Sequence, residues 1–175
     1  VIGAGDDALL CRTKSGRNDI AENDQLTIEW AGVSGNYHAA MMRTLVIGKP
    51  RDKHQQLFDA AKTALLAVED AMRPGNTFGQ VFDAQAKALD SAGLSSHRLN
   101  ACGYNLGARF APSWMDGPLF YRDNSQPILP GMSLFAHMII MDSPTNTAMC
   151  LGRTYLTTED APENLSRHPL EMIVL

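Results

Sequence analysis

Leu26 to Gly48 reads LTIEWAGVSGNYHAAMMRTLVIG. Thr27, Ile28, Trp30 and Val33 form one β-prone run and Tyr37 to Ile47 a second, on either side of Ser34-Gly35-Asn36. This predicts a β-hairpin closed by a glycine-containing turn. Strand alternation puts Thr27, Glu29 and Ala31 on one face, and His38, Ala40, Met42 and Thr44 on one face of the partner strand. A carboxylate and an imidazole are therefore expected to meet across the hairpin. The competing reading is a solvated Glu29 and a His38 satisfied within the sheet.

Downstream, Gly48-Lys49-Pro50 ends the hairpin, and Arg51 to Met72 carries Leu57, Ala61, Ala64, Leu65, Val68 and Met72 at the spacing of one helical face. Arg73-Pro74-Gly75 stops that helix. Thr77 and Gln80 then form a capping box for a second helix, Phe78 to Ala92, whose apolar face is Val81, Phe82, Ala88, Leu89 and Ala92, with Gly93 as the C-terminal cap. His54 near the first helix start and His97 in a polar stretch read as surface residues.

Leu99 to Phe120, LNACGYNLGARFAPSWMDGPLF, is dense in Gly and aromatics and reads as an irregular functional loop. Within it Tyr104 is able to hydrogen-bond or give a proton. Arg109 is a candidate anchor for a substrate carboxylate, Trp114 an aromatic wall for a cation, and Asp116 a general base. The competing reading makes Trp114 core and Arg109–Asp116 an ordinary ion pair. Met132 to Asp142 and Thr147 to Thr158 read as two further strands, the first strongly apolar, with His137 facing opposite to Ala136 as a core or interface histidine.

The whole chain has 175 residues, 45% hydrophobic and 19% charged, which suits one globular domain, residues 1–175, with a substantial core. Its net charge of -4 contains no long run of either sign, so nothing in it marks a nucleic-acid or anionic-membrane partner. Cys11, Cys102 and Cys150 are scattered, as expected of small core residues in a reducing, cytoplasmic setting. There is no apolar run of transmembrane length. The start at Val1-Ile2-Gly3-Ala4-Gly5, without Met, is expected to follow further elements of a longer polypeptide.

The phrase E-x-A-G, a short turn, aromatic-His and M-R-T resembles the central hairpin of the creatinase/aminopeptidase P/methionine aminopeptidase superfamily, the pita-bread fold. The resemblance continues through the helix pair with its Pro-Gly turn, Gly103-Tyr104-Asn105-Leu106-Gly107, Pro130-Gly131-Met132, Gly152-Arg153-Thr154-Tyr155-Leu156-Thr157-Thr158 and Glu163-Asn164-Leu165-Ser166. It implies an α+β fold: a curved, mostly antiparallel sheet with helices packed on its outer face, here without the first elements of the domain and without an upstream amino-terminal domain. The family's metal-ligand positions fall on Glu29, Ala40, Tyr104, Ala136 and Gly152. An active-site His of creatinase-like members falls near Cys11-Arg12, and the creatinase glutamates fall on Met42 and Ala136. One carboxylate does not hold a dinuclear site, so no catalytic metal and no other cofactor is expected.

The resemblance, closest to its creatinase-like and ectoine-hydrolase-like branch, implies hydrolysis of a C-N bond in a small polar or cationic metabolite. Glu29 or Asp116 is the expected base or nucleophile, His38 serves proton transfer, Tyr104 stabilises negative charge, and Arg109, Trp114 and His137 bind substrate. Three alternatives stand beside it: a non-catalytic binding descendant, a lyase on a sulfonium metabolite, and a metal-dependent Xaa-Pro peptidase. The family implies a homodimer acting on a small molecule or short peptide.

Overall fold

The computed structural model describes residues 1–10, 16 and 19–175, so the expectation placed on Cys11-Arg12 lies outside the described residues. The hairpin forms as its sequence dictates. Strand β2 (Asp24–Ser34) pairs antiparallel with β3 (Tyr37–Ile47) from Asp24↔Ile47 to Ser34↔Tyr37. The two-residue turn puts Gly35 at φ 54° and Asn36 at φ 64°. Both values are those of the turn type whose twist matches antiparallel strands, and Gly and Asn tolerate them best.

The other elements are β1 (Ile2–Ala4), α1 (Asp52–Ala71), α2 (Phe78–Ser91), β4 (Ala101–Leu106), β5 (Met115–Tyr121), β6 (Ser133–Asp142), β7 (Thr147–Leu156), β8 (Glu163–Asn164) and β9 (Ile173–Val174). They build one sheet in the order β1-β2-β3-β7-β6-β4-β5, with β8 on β7 and β9 on β3. Every pairing is antiparallel except β3 with β9. Among the described residues no helix is long and apolar enough to cross a membrane.

The stripe read on α1 is the one the fold buries: Leu57, Ala61, Ala64, Leu65, Val68 and Met72 have no exposed surface. On α2, Val81, Phe82 and Leu89 are buried while Ala92 is exposed, and Ala86 and Gln85 fill the face instead. Thr77 Oγ1 accepts from Gln80 N at 3.2 Å and Gln80 Oε1 from Thr77 N at 2.8 Å, closing the capping box. Both helices pack on one face of the sheet, against Cys102, Leu134, Ala136, Met138, Ile140, Met149, Leu151 and Tyr155. We call this the helix face. The opposite face carries a second cluster: Ala40, Met42, Tyr104, Leu106, Phe135, Ile139 and Cys150. Strand β6 lies between the two clusters, which explains why it is apolar along most of its length apart from His137.

Two expectations need correction. Leu99 to Phe120 is not a single irregular loop, because it contains β4 and all but the last residue of β5. Their pairing shifts register between Ala101 and Tyr104 and again between Tyr104 and Asn105, which breaks the period of two that marks strands. His54 is not on the surface but 2% exposed. Its Nδ1 accepts from Arg51 N at 3.2 Å, and its Nε2 lies 3.1 Å from Arg51 Nη2 and 3.3 Å from Gln25 Oε1. Burial, with the Arg51 charge adding to it, holds this imidazole below its ordinary pKa.

Candidate functional site

The Arg43-Thr44 phrase of the hairpin proves structural. Arg43 Nη1 donates to Met42 O and Gly152 O, each at 2.7 Å, and Thr44 Oγ1 meets Thr27 Oγ1 at 3.0 Å while accepting from Cys150 N at 2.8 Å. Together they stitch β2, β3 and β7 where β3 and β7 touch at Met42↔Gly152 and Arg43↔Leu151. Burial pulls the Arg43 guanidinium down to about 10, with Arg153 adding to the effect. Beyond that contact Thr154 takes over, accepting from Ala40 N and donating to Ala40 O.

Glu29 projects onto the face opposite the helices and is 6% exposed. The Tyr104 hydroxyl donates to Glu29 Oε1 at 3.3 Å, and Trp114 Nε1–H donates to the Tyr104 oxygen at 2.9 Å. Glu29 and Trp114 line a cavity of about 250 Å³ together with Val1, Pro112, Ser113 and Met115. The Tyr104 ring lies 5.4 Å from Phe135 and 5.7 Å from His137. His137 therefore shares the face of Tyr104, whereas Ala136 belongs to the core beneath the helices. A side chain at 136 points away from Glu29, so on β6 the residue presented to the site is His137.

His38 sits at the far end of this wall. Its ring is 6.2 Å from Trp114 and 4.6 Å from Phe110. Nδ1 lies 2.9 Å from Gly107 O, and since a carbonyl only accepts, Nδ1 carries the hydrogen and the neutral ring keeps its lone pair on Nε2. The expected meeting of Glu29 and His38 does not occur. Glu29 is opposite Met42 and His38 opposite Val33, a separation of four residues, or roughly 13 Å of strand. Trp114 and Tyr104 fill the interval, giving the sequence Glu29, Tyr104, Trp114, His38.

Asp116 and Arg109 are elsewhere. They pair at 3.2 Å with side chains 48% and 56% exposed, an arrangement that contributes little to stability. Asp116 lines a separate groove of about 510 Å³ with Tyr37, Asn105 and Leu165. The structure thus brings together Glu29, Tyr104, Trp114 and His137, with His38 at the wall's end, and leaves Asp116 and Arg109 outside.

The positions at which the resemblance implies metal ligands do not supply a donor set. Ala40 offers a methyl group, the Tyr104 hydroxyl is engaged, and Gly152 has no side chain. A Cβ at 152 would lie 2.6 Å from Phe135 Cζ and 2.9 Å from Met42 Cβ, so apolar side chains occupy that space. Among the described residues no three His, Cys, Asp or Glu side chains gather as a metal site. Glu29 with its neighbours does not fit a dinuclear centre, whose ions require several anionic oxygen or imidazole donors.

Known proteins are similar to this chain in sequence and in fold. The chain is 26% identical over 165 residues to an uncharacterized hydrolase/peptidase, y4tL, of Sinorhizobium fredii, covering 94% of the chain and 41% of that protein. It is 27% identical over 179 residues to the ectoine hydrolase of Halomonas elongata, covering 99% of the chain and 43% of that protein. The crystal structure of dipeptidase PepE from Mycobacterium ulcerans superposes with a TM-score of 0.90 at 24% identity, over 99% of this chain and 46% of that one. The chain therefore spans less than half the length of these relatives. Residues 1–159 match the signature of metallopeptidase family M24, and the chain belongs to that family.

Proposed function

We propose that the chain carries the reactive face of a hydrolase that cleaves a C-N bond in a small polar or cationic metabolite without a catalytic metal. The observation that carries this reading is the buried Glu29 carboxylate, oriented by Tyr104 and facing a cavity walled by Trp114. An aromatic wall beside one carboxylate complements a cationic or amidine-like nitrogen compound. Glu29 takes a proton from water, the resulting hydroxide adds to the carbon of the C-N bond, and the proton passes from Glu29 to the departing nitrogen. His137 contacts the substrate beside Tyr104. His38, with Nε2 as acceptor, serves the far end of the wall and the proton traffic there. Similarity to an ectoine hydrolase along 99% of the chain supports this substrate class. The same proposal includes a homodimer in the reducing cytoplasm, in keeping with the family resemblance and the scattered cysteines.

The second reading is a metal-dependent Xaa-Pro peptidase, favoured by the likeness to Xaa-Pro dipeptidase of Lactobacillus delbrueckii, 23% identical over 107 residues. One assay separates them: the purified protein with ectoine and related small nitrogen compounds, and with Xaa-Pro dipeptides, in chelator or in manganese. Turnover of a small nitrogen compound that survives chelator and disappears in Glu29→Gln supports the proposal. Manganese-dependent cleavage of Xaa-Pro dipeptides overturns it.

A further inference from the structure

We infer that Trp114 is a positioning residue: by donating its indole N–H to the Tyr104 oxygen it commits the Tyr104 hydroxyl proton to Glu29, so that Trp114, Tyr104 and Glu29 form a one-way hydrogen-bond chain ending on the carboxylate. The inference builds on the reading of Glu29 as the base, but it stands on geometry that needs no substrate.

The direction of the chain is fixed at both ends. An indole N–H only donates, so the 2.9 Å bond from Trp114 Nε1 has a single sense. An ionised carboxylate only accepts, so the 3.3 Å bond from the Tyr104 hydroxyl to Glu29 Oε1 also has a single sense. A phenolic hydrogen lies near the ring plane and has two places to go. The indole hydrogen lies on one side of the oxygen, and the Tyr104 hydrogen is left to point at Glu29. Successive bonds of the same sense polarise one another, which makes Tyr104 a better donor than an isolated phenol. Trp114 acts on Glu29 only through Tyr104, while its ring faces the cavity and, on the other side, His38.

Two consequences distinguish this role from packing. Tyr104 organises the base rather than a developing oxyanion, because its proton is already engaged. Replacing the Glu29 carboxylate by an amide also has to be felt at the Trp114 indole, since it weakens the acceptor at the end of the chain. Among the described residues, Tyr104 comes to Glu29 from β4 with His137 of β6 beyond it, Val1 N donates to the Glu29 carbonyl at 2.8 Å, and His38 lies at the far end of the wall.

The test uses the fact that the chain has two tryptophans, Trp30 and Trp114. Their indole signals in a nitrogen-15 spectrum are assigned by Trp30→Phe and Trp114→Phe, and Trp30, 43% exposed, is the internal control. The Trp114 signal is expected downfield of Trp30. Tyr104→Phe should shift it to the unbonded position. Glu29→Gln should keep a bonded position but move it upfield, since the acceptor at the end of the chain is weaker. A Trp114 signal unchanged by Tyr104→Phe, or unchanged by Glu29→Gln, overturns the inference. Trp114→Phe keeps an aromatic ring at the cavity while removing the donor and part of the ring surface. With a turned-over substrate, its kcat is expected to fall about tenfold, beyond any rise in KM from the smaller wall, as part of the ~10²–10⁴-fold that a positioned base supplies. A variant with unchanged kcat also overturns it. If no small nitrogen compound is hydrolysed, the hydrolase reading fails while the spectrum still decides the hydrogen-bond chain.

Discussion

Thr154 holds Ala40 at both of its main-chain polar atoms: its Oγ1 accepts from Ala40 N at 2.9 Å and donates to Ala40 O at 2.7 Å. The backbone ladder between β3 and β7 covers Met42↔Gly152 and Arg43↔Leu151, and this one hydroxyl satisfies Ala40, two residues before that ladder on β3. Thr154→Val keeps the side-chain shape and leaves a buried N–H and C=O without their partner. We expect a loss of about 1–3 kcal/mol, read from the urea midpoint at unchanged slope. A loss below a few tenths of that would mean that water replaces the hydroxyl.

Gly152→Ala places a methyl group 2.6 Å from Phe135 Cζ and 2.9 Å from Met42 Cβ. Overpacking of this kind costs about 1–3 kcal/mol. Phe135→Leu in the same chain should return part of it, and the non-additivity of the two changes, measured by a double-mutant cycle, is the expected signature.

His54 makes stability depend on acidity. Its folded pKa lies below the ordinary value, through burial first and the Arg51 charge second. The unfolded chain therefore binds the proton more readily. The contribution of His54 is complete above the unfolded pKa of about 6.5 and is lost as pH falls through the folded pKa. The urea midpoint should drop on going from neutral to mildly acidic pH, and His54→Gln should flatten part of that slope.

Thr77→Ala removes the oxygen that accepts from Gln80 N at the start of α2. The expected cost is about 0.5–2 kcal/mol in thermal or urea unfolding. Thr77→Ser should recover most of it, since the acceptor is kept.

Much of this architecture is written locally. The capping box, the apolar stripe of α1 and the Gly35-Asn36 turn each lie within a few residues, where periodicity and turn chemistry speak directly. His54 was opaque because it faces Gln25, 29 positions away in sequence. The strands β4 and β5 were opaque because register shifts around Tyr104 blur their alternation. Glu29 and Tyr104 are each recognisable as polar residues in β-prone or glycine-rich sequence. Their contact spans 75 positions, and it depends on strand order. The same dependence separated Asp116 from Glu29 and set His38 apart from it along the hairpin, while the donor role of Trp114 towards Tyr104 left no trace in spacing.

The filled space around Gly152 has a bearing on how such a face changes over evolutionary time. To place a carboxylate at 152 the chain would first have to shrink Phe135 or Met42, leaving a hollow, or else accept a crowded intermediate. Neither single step brings a bound ion, because Ala40 and the engaged Tyr104 would still lack donors. Rebuilding the ligand positions that the family resemblance implies therefore takes several substitutions, with packing around Gly152 and the residues at 40 and 104 all standing in the way.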